Sequence, residues 1–593
     1  MRQQRIYRLV VALGLFAWGG WLLRGYVTDD TFIHLRYARN LLELGEFSFN
    51  PGQSTYGATS PLWIFGLVLF LKIGFTPLAA IWILGALSGL AVILLVDLIL
   101  GRMTFPEHWK PIFLALIASD VWFLRWTFSG METPLATLLL LVLLWPLFSG
   151  RDRGWGVTRE KLWVRYLAWG VAAGLAGLTR PEFLLVAPLA LPWLLWFEYY
   201  RAVGGSSNRY QSRPHGPLLA AIAGWIMVVG PWLVFANFAF GRITPGTASA
   251  KSAAISFTPV EWIDSIIRSL KQLAVVQGPL WGVAFFLVLL VLYKNRSIDK
   301  EEGDYTGPLK LGIPLLDKDE AFHPRQASEP GHAPTSIWSS VALMGIALTW
   351  TVVLLGGYAV KEVWIISRYV CPLTPVILLA LAVFAEWLLS GKQVGGPGIL
   401  LGRIAISSGV VVTLILNWGI MVTQVVPHAR KFPEGLQECY VGFGQWLNEN
   451  TAPDAVVAAL DIGALGYVSE RRVLDLMGLV SPEILSLGSE TGFQEMVESG
   501  DWLKVNSLDA LQGARPQVDA RQPDGSAVNR PNFFVDRCEG PARWEGRTVH
   551  GVRFELLDTC TISGVGLREP QPWTIALYRL VWTDNLVNAS EGG

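Results

Sequence analysis

Apolar runs long enough to cross a bilayer recur over the first three quarters of this chain, and no other feature constrains its fold as strongly. A helix needs about 20 predominantly apolar residues to span the hydrocarbon core. Runs of this kind occupy 9–26, 77–100, 111–128, 134–148, 166–178, 183–200, 218–238, 279–293, 337–360, 370–389 and 404–426. Basic residues are distributed unevenly between them. They collect before the first run (Arg2, Arg5, Arg8), at Arg102 and Lys110, and most heavily at Arg151, Arg153, Arg159, Lys161 and Arg165. Lys and Arg mark the cytoplasmic side, and a single threading puts every basic-rich loop there. The prediction is a polytopic α-helical membrane protein with about eleven spans and a cytoplasmic N-terminus. The first run lacks a small-residue cleavage site and reads as a retained span. Composition agrees, with 52% of 593 residues hydrophobic and 16% charged. The formal net charge is zero, so no basic surface points to nucleic acid.

The threading assigns the remaining segments. Residues 61–75 are apolar but short and interrupted by Lys72, which suits a juxtamembrane or re-entrant helix. Residues 240–276 form an outer segment, and the charged, Pro/Gly-rich stretch 294–336 a flexible cytoplasmic linker. The polar remainder, 428–593, is an outer domain, giving a division into 1–427 and 428–593. Within it, 443–450 is helical, and 455–460 and 472–476 read as short strands, so a small α/β domain is expected. The G-A-L-G of D-I-G-A-L-G-Y (461–467) lacks the spacing of a phosphate loop.

The most informative loop is 27–63, between the first two long runs. Asp29 and Asp30 lie just beyond the first span. An amphipathic helix follows, with Phe32, Leu35, Tyr37, Ala38, Leu41 and Leu42 on one side. Such a helix lies in the interface and can roof a site above the membrane. The order D-D-T-F-I-H-L-R-Y-A-R-N, then F-N-P-G (49–52), then T-S-P-L-W (59–63), resembles the first outer loop of C-type (GT-C) glycosyltransferases. It is especially similar to bacterial and mycobacterial arabinofuranosyltransferase-like members, with family 39 enzymes more distant. The resemblance implies a GT-C fold and a sugar donor carried on polyprenyl phosphate. It also implies an extracytoplasmic acceptor glycan, lipid or protein, and a site at the outer face of the bilayer.

Transfer from such a donor needs a base near the acceptor hydroxyl and cations around the departing phosphate. Asp29 is the expected base, with Asp30 orienting it, binding sugar hydroxyls or ligating a divalent ion. Glu132 in S-G-M-E-T-P-L matches a second-loop acidic residue of relatives; with Asp30 it is the candidate ligand set for Mg or Mn. Arg180 and Glu182 in T-R-P-E are candidate substrate contacts that also suit an interfacial ion pair. Lys251 closes F-G-R-I-T-P-G-T-A-S-A-K, similar to a segment of relatives that has Asn where this chain has Gly246. Arg368 and Tyr369 of S-R-Y stand at the outer start of a span, where a guanidinium can fork onto phosphate. Asp120 falls inside a predicted span, with Arg125 its candidate partner.

Two other function classes compete. A transporter or lipid-linked sugar flippase calls for ionisable residues near several helix midplanes and repeat-related halves; the chain offers mainly Asp120. A passive membrane anchor does not require acidic loops on one face. The cysteines are Cys371, Cys439, Cys538 and Cys560, without C-x-x-C or zinc-type spacing. An oxidising outer compartment predicts a Cys538–Cys560 disulfide.

Overall fold

The computed structural model describes residues 2–103, 107–148, 159–203, 215–246, 259–301, 337–360, 366–390, 396–486, 497–504, 530–567 and 571–583. Most of the described chain is helical, and a six-stranded sheet follows near the C-terminus. Four helices are long and apolar enough to cross a membrane: Pro77–Arg102, His215–Phe240, Val341–Val360 and Leu400–Asn450. Their outward faces are greasy. Phe238 is 81% exposed and Leu348 66%, among many Leu, Ile and Val side chains turned away from the protein. Apolar patches of that extent identify hydrocarbon as the surroundings of these helices. Five shorter apolar helices of 10–17 residues, Pro61–Ile73, Thr133–Phe148, Phe183–Glu198, Ala274–Phe286 and Ser367–Val383, accompany them.

Three expectations about the helices change. The run 111–128 is not one helix: it breaks into Lys110–Ala118 and Val121–Thr127. Asp120 caps the second piece, its Oδ1 accepting the Phe123 N–H at 2.8 Å. A carboxylate spent on helix-start amides needs no guanidinium; Arg125 instead donates to Tyr26 Oη at 3.3 Å. The second change is at 240–301, where one helix, Pro259–Glu301, runs through much of the expected outer segment, the span and the start of the linker. Residues 302–336 of that linker lie outside the described residues. Third, the helical path from Gly396 to Asn450 is unbroken, with π-helical turns at Met421–Val425 and Leu436–Val441. Position 427/428 therefore falls inside a helix.

The sheet contains β1 (Val456–Ala459), β2 (Arg472–Asp475), β3 (Phe533–Cys538), β4 (Thr548–Val549), β5 (Val552–Ile562) and β6 (Trp573–Trp582), in the order β2-β1-β3-β6-β5-β4. The expected first two strands are present, pair in parallel and flank the helix Gly463–Ser469. Alternate residues face opposite ways along a strand. Val457, Ala459, Phe533, Val535, Ile575 and Leu577 therefore pack toward the first outer loop, while Phe534, Phe554 and Tyr578 pack around Trp502 and Trp544.

Side chains reaching over 400 residues stitch that loop to the sheet. Buried Arg36 donates from Nε to Phe49 O at 2.7 Å and from Nη2 to Arg471 O at 2.8 Å. The Asn50 amide exchanges two hydrogen bonds of 2.9 Å with the backbone of Val473, acting as one more residue of sheet edge beside β2. Gly57 lies so close to Leu479 O that a Cβ would stand 2.6 Å from it.

The disulfide is Cys439–Cys560, not Cys538–Cys560. It joins the π-helical turn Leu436–Val441 to β5, whereas the Cys538 thiol contacts Pro541 O at 3.6 Å. The short spacing along the chain suits the shorter loop, but β6 lies between β3, which carries Cys538, and β5, which carries Cys560. The bond closes a separation of 121 residues, worth up to ~5 kcal/mol in the chain-entropy picture. Peptide mapping of non-reduced protein is expected to recover a Cys439–Cys560 linked pair, with Cys538 open to alkylation after unfolding. Cys439→Ser should lower the unfolding temperature; recovery of a Cys538–Cys560 pair would reverse the assignment.

Candidate functional site

The first outer loop delivers Asp29 and Asp30 as the first two residues of the helix Asp29–Glu43. That helix start is fixed on the S-G-M-E loop: Thr31 Oγ1 donates to Ser129 O at 2.9 Å and Thr28 N to the same oxygen at 3.3 Å. The two carboxylates then part company. Asp29 turns to the sheet domain, its Oδ2 accepting Gly463 N–H at 2.9 Å and its Oδ1 accepting Ala464 N–H at 2.8 Å. Asp30 turns to the membrane helices, its Oδ2 accepting from Arg368 Nη1 at 2.8 Å.

These groups line one cavity of about 420 Å³. Its membrane-side wall includes Tyr26, Trp122, Arg125, Trp126 and Arg368. Its outer wall comes from the sheet domain and the long helix, with Tyr440, Asp461, Arg537 and Leu567 prominent. Asp461 accepts from Tyr440 Oη at 2.6 Å and from Arg537 Nη1 at 3.0 Å. Sequence reasoning missed Tyr26, Tyr440, Asp461 and Arg537 and gave Arg125 to Asp120 instead; among the missed residues only Asp461 carried a signal, its place beside the G-A-L-G turn.

The environment tunes Asp29. Burial pushes its carboxyl up to about 7 from an ordinary 3.8, Asp461 and Asp30 add repulsion, and the Ala464 and Gly463 amides pull the other way. Burial wins because two neutral amides replace less hydration than an ionised carboxylate loses. The G-A-L-G motif is thus a receptor for a side chain. Gly463 is required by contact: a Cβ there would stand 2.0 Å from the Asp29 carbonyl oxygen.

Arg368 is nearly buried, with its Cζ 5.4 Å from the Tyr369 ring. Arg180 approaches the same ring at 5.0 Å. It is buried in its own network, donating to Glu132 Oε1 at 3.1 Å and to Glu182 Oε1 at 2.6 Å, while Tyr358 Oη also donates to Glu182. The structure therefore brings Asp29, Asp30 and Arg368 into one cavity and holds Glu132, Arg180 and Glu182 together elsewhere, linked to it through Tyr369. Lys251 lies outside the described residues. A divalent ion does not fit the expected carboxylates: Asp30 and Glu132 each face a guanidinium. Among the described residues no group of three or more His, Cys, Asp or Glu side chains is arranged to hold a metal ion.

Residues 433–558 match the model of a domain of unknown function, DUF8728. The chain is 27% identical over 252 residues to a terminal β-(1→2)-arabinofuranosyltransferase of Mycobacterium tuberculosis, over 40% of this chain and 37% of the relative. It thus spans little more than a third of that relative's length. Among solved structures it is similar to ArnT from Cupriavidus metallidurans bound to undecaprenyl phosphate, at 12% identity and a TM-score of 0.48, covering 96% of this chain and 97% of that one. It is also similar to the mycobacterial arabinofuranosyltransferase AftD, at 15% identity and a TM-score of 0.48, covering 97% and 41%.

Two measurements probe the Asp29 seat. Gly463→Ala forces the Asp29 backbone away and is expected to cost about 2 kcal/mol, as overpacking does, seen as a lower unfolding temperature. The pH dependence has a definite sign. The native chain holds the Asp29 proton more tightly than the unfolded chain, so this group's contribution to stability falls as pH rises from about 4 to 7. Asp29→Asn should remove that slope; equal slopes in the two proteins, measured by thermal unfolding between pH 4 and 8, would refute the assignment.

Proposed function

We propose that this chain is a GT-C-type membrane glycosyltransferase that moves a sugar from a polyprenyl-phosphate donor to an extracytoplasmic acceptor. The observation that carries the reading is the shared cavity of Asp29, Asp30, Arg125 and Arg368, between the ends of apolar helices and a sheet domain. In this reading residues 1–427 form the membrane domain, with about eleven spans and a cytoplasmic N-terminus, and 428–593 the outer domain that closes the site, the two joined through the helical path Gly396–Asn450.

The chemistry follows from the division of charge. Asp29 takes the proton of the acceptor hydroxyl as its oxygen attacks the anomeric carbon. The bond from that carbon to the phosphate oxygen breaks, and the phosphate leaves with the electron pair. A proton affinity near neutral suits a general base at physiological pH. Arg368 and Arg125 meet the growing phosphate charge in a site of reduced dielectric, where each contact is stronger than in water. Asp30 holds Arg368 in place. The polyprenyl chain stays in hydrocarbon alongside the apolar helices, and no step uses a metal.

The test is turnover by the full chain in membranes or nanodiscs, with polyprenyl-phosphate sugars as donors. The mycobacterial relative makes arabinofuranose the first sugar to try. Asp29→Asn is expected to reduce kcat at least about 100-fold, the low end of base catalysis, with the protein still folded. Wild-type turnover in this variant removes Asp29 from the mechanism.

Arg368 separates donor binding from the proton step. Arg368→Ala should raise the KM for the lipid donor about tenfold, the loss of one charge-assisted contact. Arg368→Lys should recover only part of it, because an ammonium lacks the planar fork. Unchanged KM in both variants would take Arg368 away from the phosphate.

A further inference from the structure

Asp461 has no part in the reaction described above, yet it is among the most firmly held carboxylates in the cavity. It lies in the loop after β1, two residues before the first backbone N–H that holds Asp29. Tyr440 Oη donates to its Oδ2 at 2.6 Å, and Arg537 Nη1 lies 3.0 Å from Oδ1 and 2.9 Å from Oδ2. Both partners are anchored. Tyr440 adjoins Cys439, whose disulfide ties the turn Leu436–Val441 to β5, and Arg537 stands on β3 with its Cζ 5.4 Å from the Trp573 ring. Asp461 is thus fixed from a helix, a strand and a covalent link, which is more than a loop carboxylate needs merely to be satisfied.

We propose that Asp461 is a positioning residue for Asp29: clamped by Tyr440 and Arg537, it fixes the turn that receives Asp29 and presents that carboxylate with a neighbouring negative charge. The proposal rests on the reading of Asp29 as the base. The charged and titratable groups around Asp29 are Asp30 on its own helix, Asp461 and Arg537 from the sheet domain, Tyr440 from the long helix, and Arg125, Arg368 and His428 around the cavity. Asp30 is matched by Arg368. Asp461 repels Asp29 more strongly than Asp30 does. A carboxylate beside a second carboxylate holds its proton longer. Asp461, clamped by a phenol and a guanidinium, is fixed as that neighbour, and Asp29 is left with proton affinity in the range a base uses.

The experiment uses the full chain in nanodiscs, as wild type, Asp461→Asn and Tyr440→Phe. Two readouts follow Asp29 against pH: its labelling by dicyclohexylcarbodiimide, which attacks the protonated carboxyl and is located by peptide mass spectrometry, and the acid limb of kcat. Asp461→Asn is expected to move both midpoints about one pH unit toward acid, with donor KM changed less than twofold. Tyr440→Phe should move them the same way by less, and it carries the test alone if Asp461→Asn fails to fold. Midpoints that stay at the wild-type pH in folded variants overturn the proposal, leaving Asp461 a purely structural residue. Labelling does not depend on turnover. If no donor supports transfer by the wild type while the labelling midpoint still shifts, the glycosyltransferase reading falls and the positioning role stands.

Discussion

Two hydrogen bonds, from the Gly463 and Ala464 amides to Asp29, are the interaction on which the rest of the site depends. Their benefit is mutual. The helix Gly463–Ser469 begins after Ile462, whose side chain offers no cap, so its leading amides would otherwise lack acceptors. Asp29 supplies both acceptors from 434 residues away. A buried carboxylate is costly unless hydrogen-bonded, and these amides offset part of that cost without supplying a positive side chain. A lysine or arginine in the same place would drive the carboxyl below its ordinary range. Neutral amides hold it and leave its proton affinity high.

The same economy runs along the seam between the outer loop and the sheet domain. Arg36, Asn40 and Asn50 all turn inward to backbone carbonyls: Asn40 Nδ2 reaches Ser48 O and Phe49 O at 2.9 and 3.0 Å, and Asn50 reaches Val473. Buried backbone groups must be paired, and a loop rich in turn residues cannot pair its own. The motif R-Y-A-R-N therefore serves mainly to build the loop, with Tyr37 Oη accepting Gly57 N–H at 3.1 Å. Of the helix itself, only its first two residues, Asp29 and Asp30, line the cavity.

That distinction explains what could be read in advance. The apolar helices were legible because hydrocarbon imposes length and composition on each one separately. Asp29, Asp30 and Arg368 stood out because their neighbours in the chain have a recognisable order. Arg36 and Asn50 resemble solvated polar residues in a list, since each has a backbone partner more than 400 positions away, at Arg471 and Val473. β3 shows no alternation because both of its faces are covered. β5 loses its alternation at the irregularity between Leu556 and Asp558, where the register slips. The disulfide was misassigned for a related reason: sequence distance says nothing about which face of a strand a cysteine occupies. Asp120 looked costly inside an unbroken span and is ordinary once it caps a helix that begins beside it.

The charge balance of the cavity gives the site a direction. Asp30 is matched by Arg368 and Asp461 by Arg537, so both pairs are internally compensated. Two formal charges remain over. Asp29 is held by neutral amides on the sheet-domain side. Arg125, nearly buried on the helix side, has no carboxylate partner among the described residues; a phenol and the faces of Tyr26 and Trp126 surround it. Aromatic faces stabilise a guanidinium without cancelling its charge. The cavity is therefore negative toward the sheet domain and positive toward the apolar helices. In the proposed transfer, a proton leaving an acceptor and a phosphate leaving a lipid-bound donor need that polarity in that order, because the first must be drawn toward the sheet domain while the second stays tethered in hydrocarbon. Reversing it would put the carboxylate against the phosphate and the guanidinium against the hydroxyl to be deprotonated, and neither contact would favour transfer.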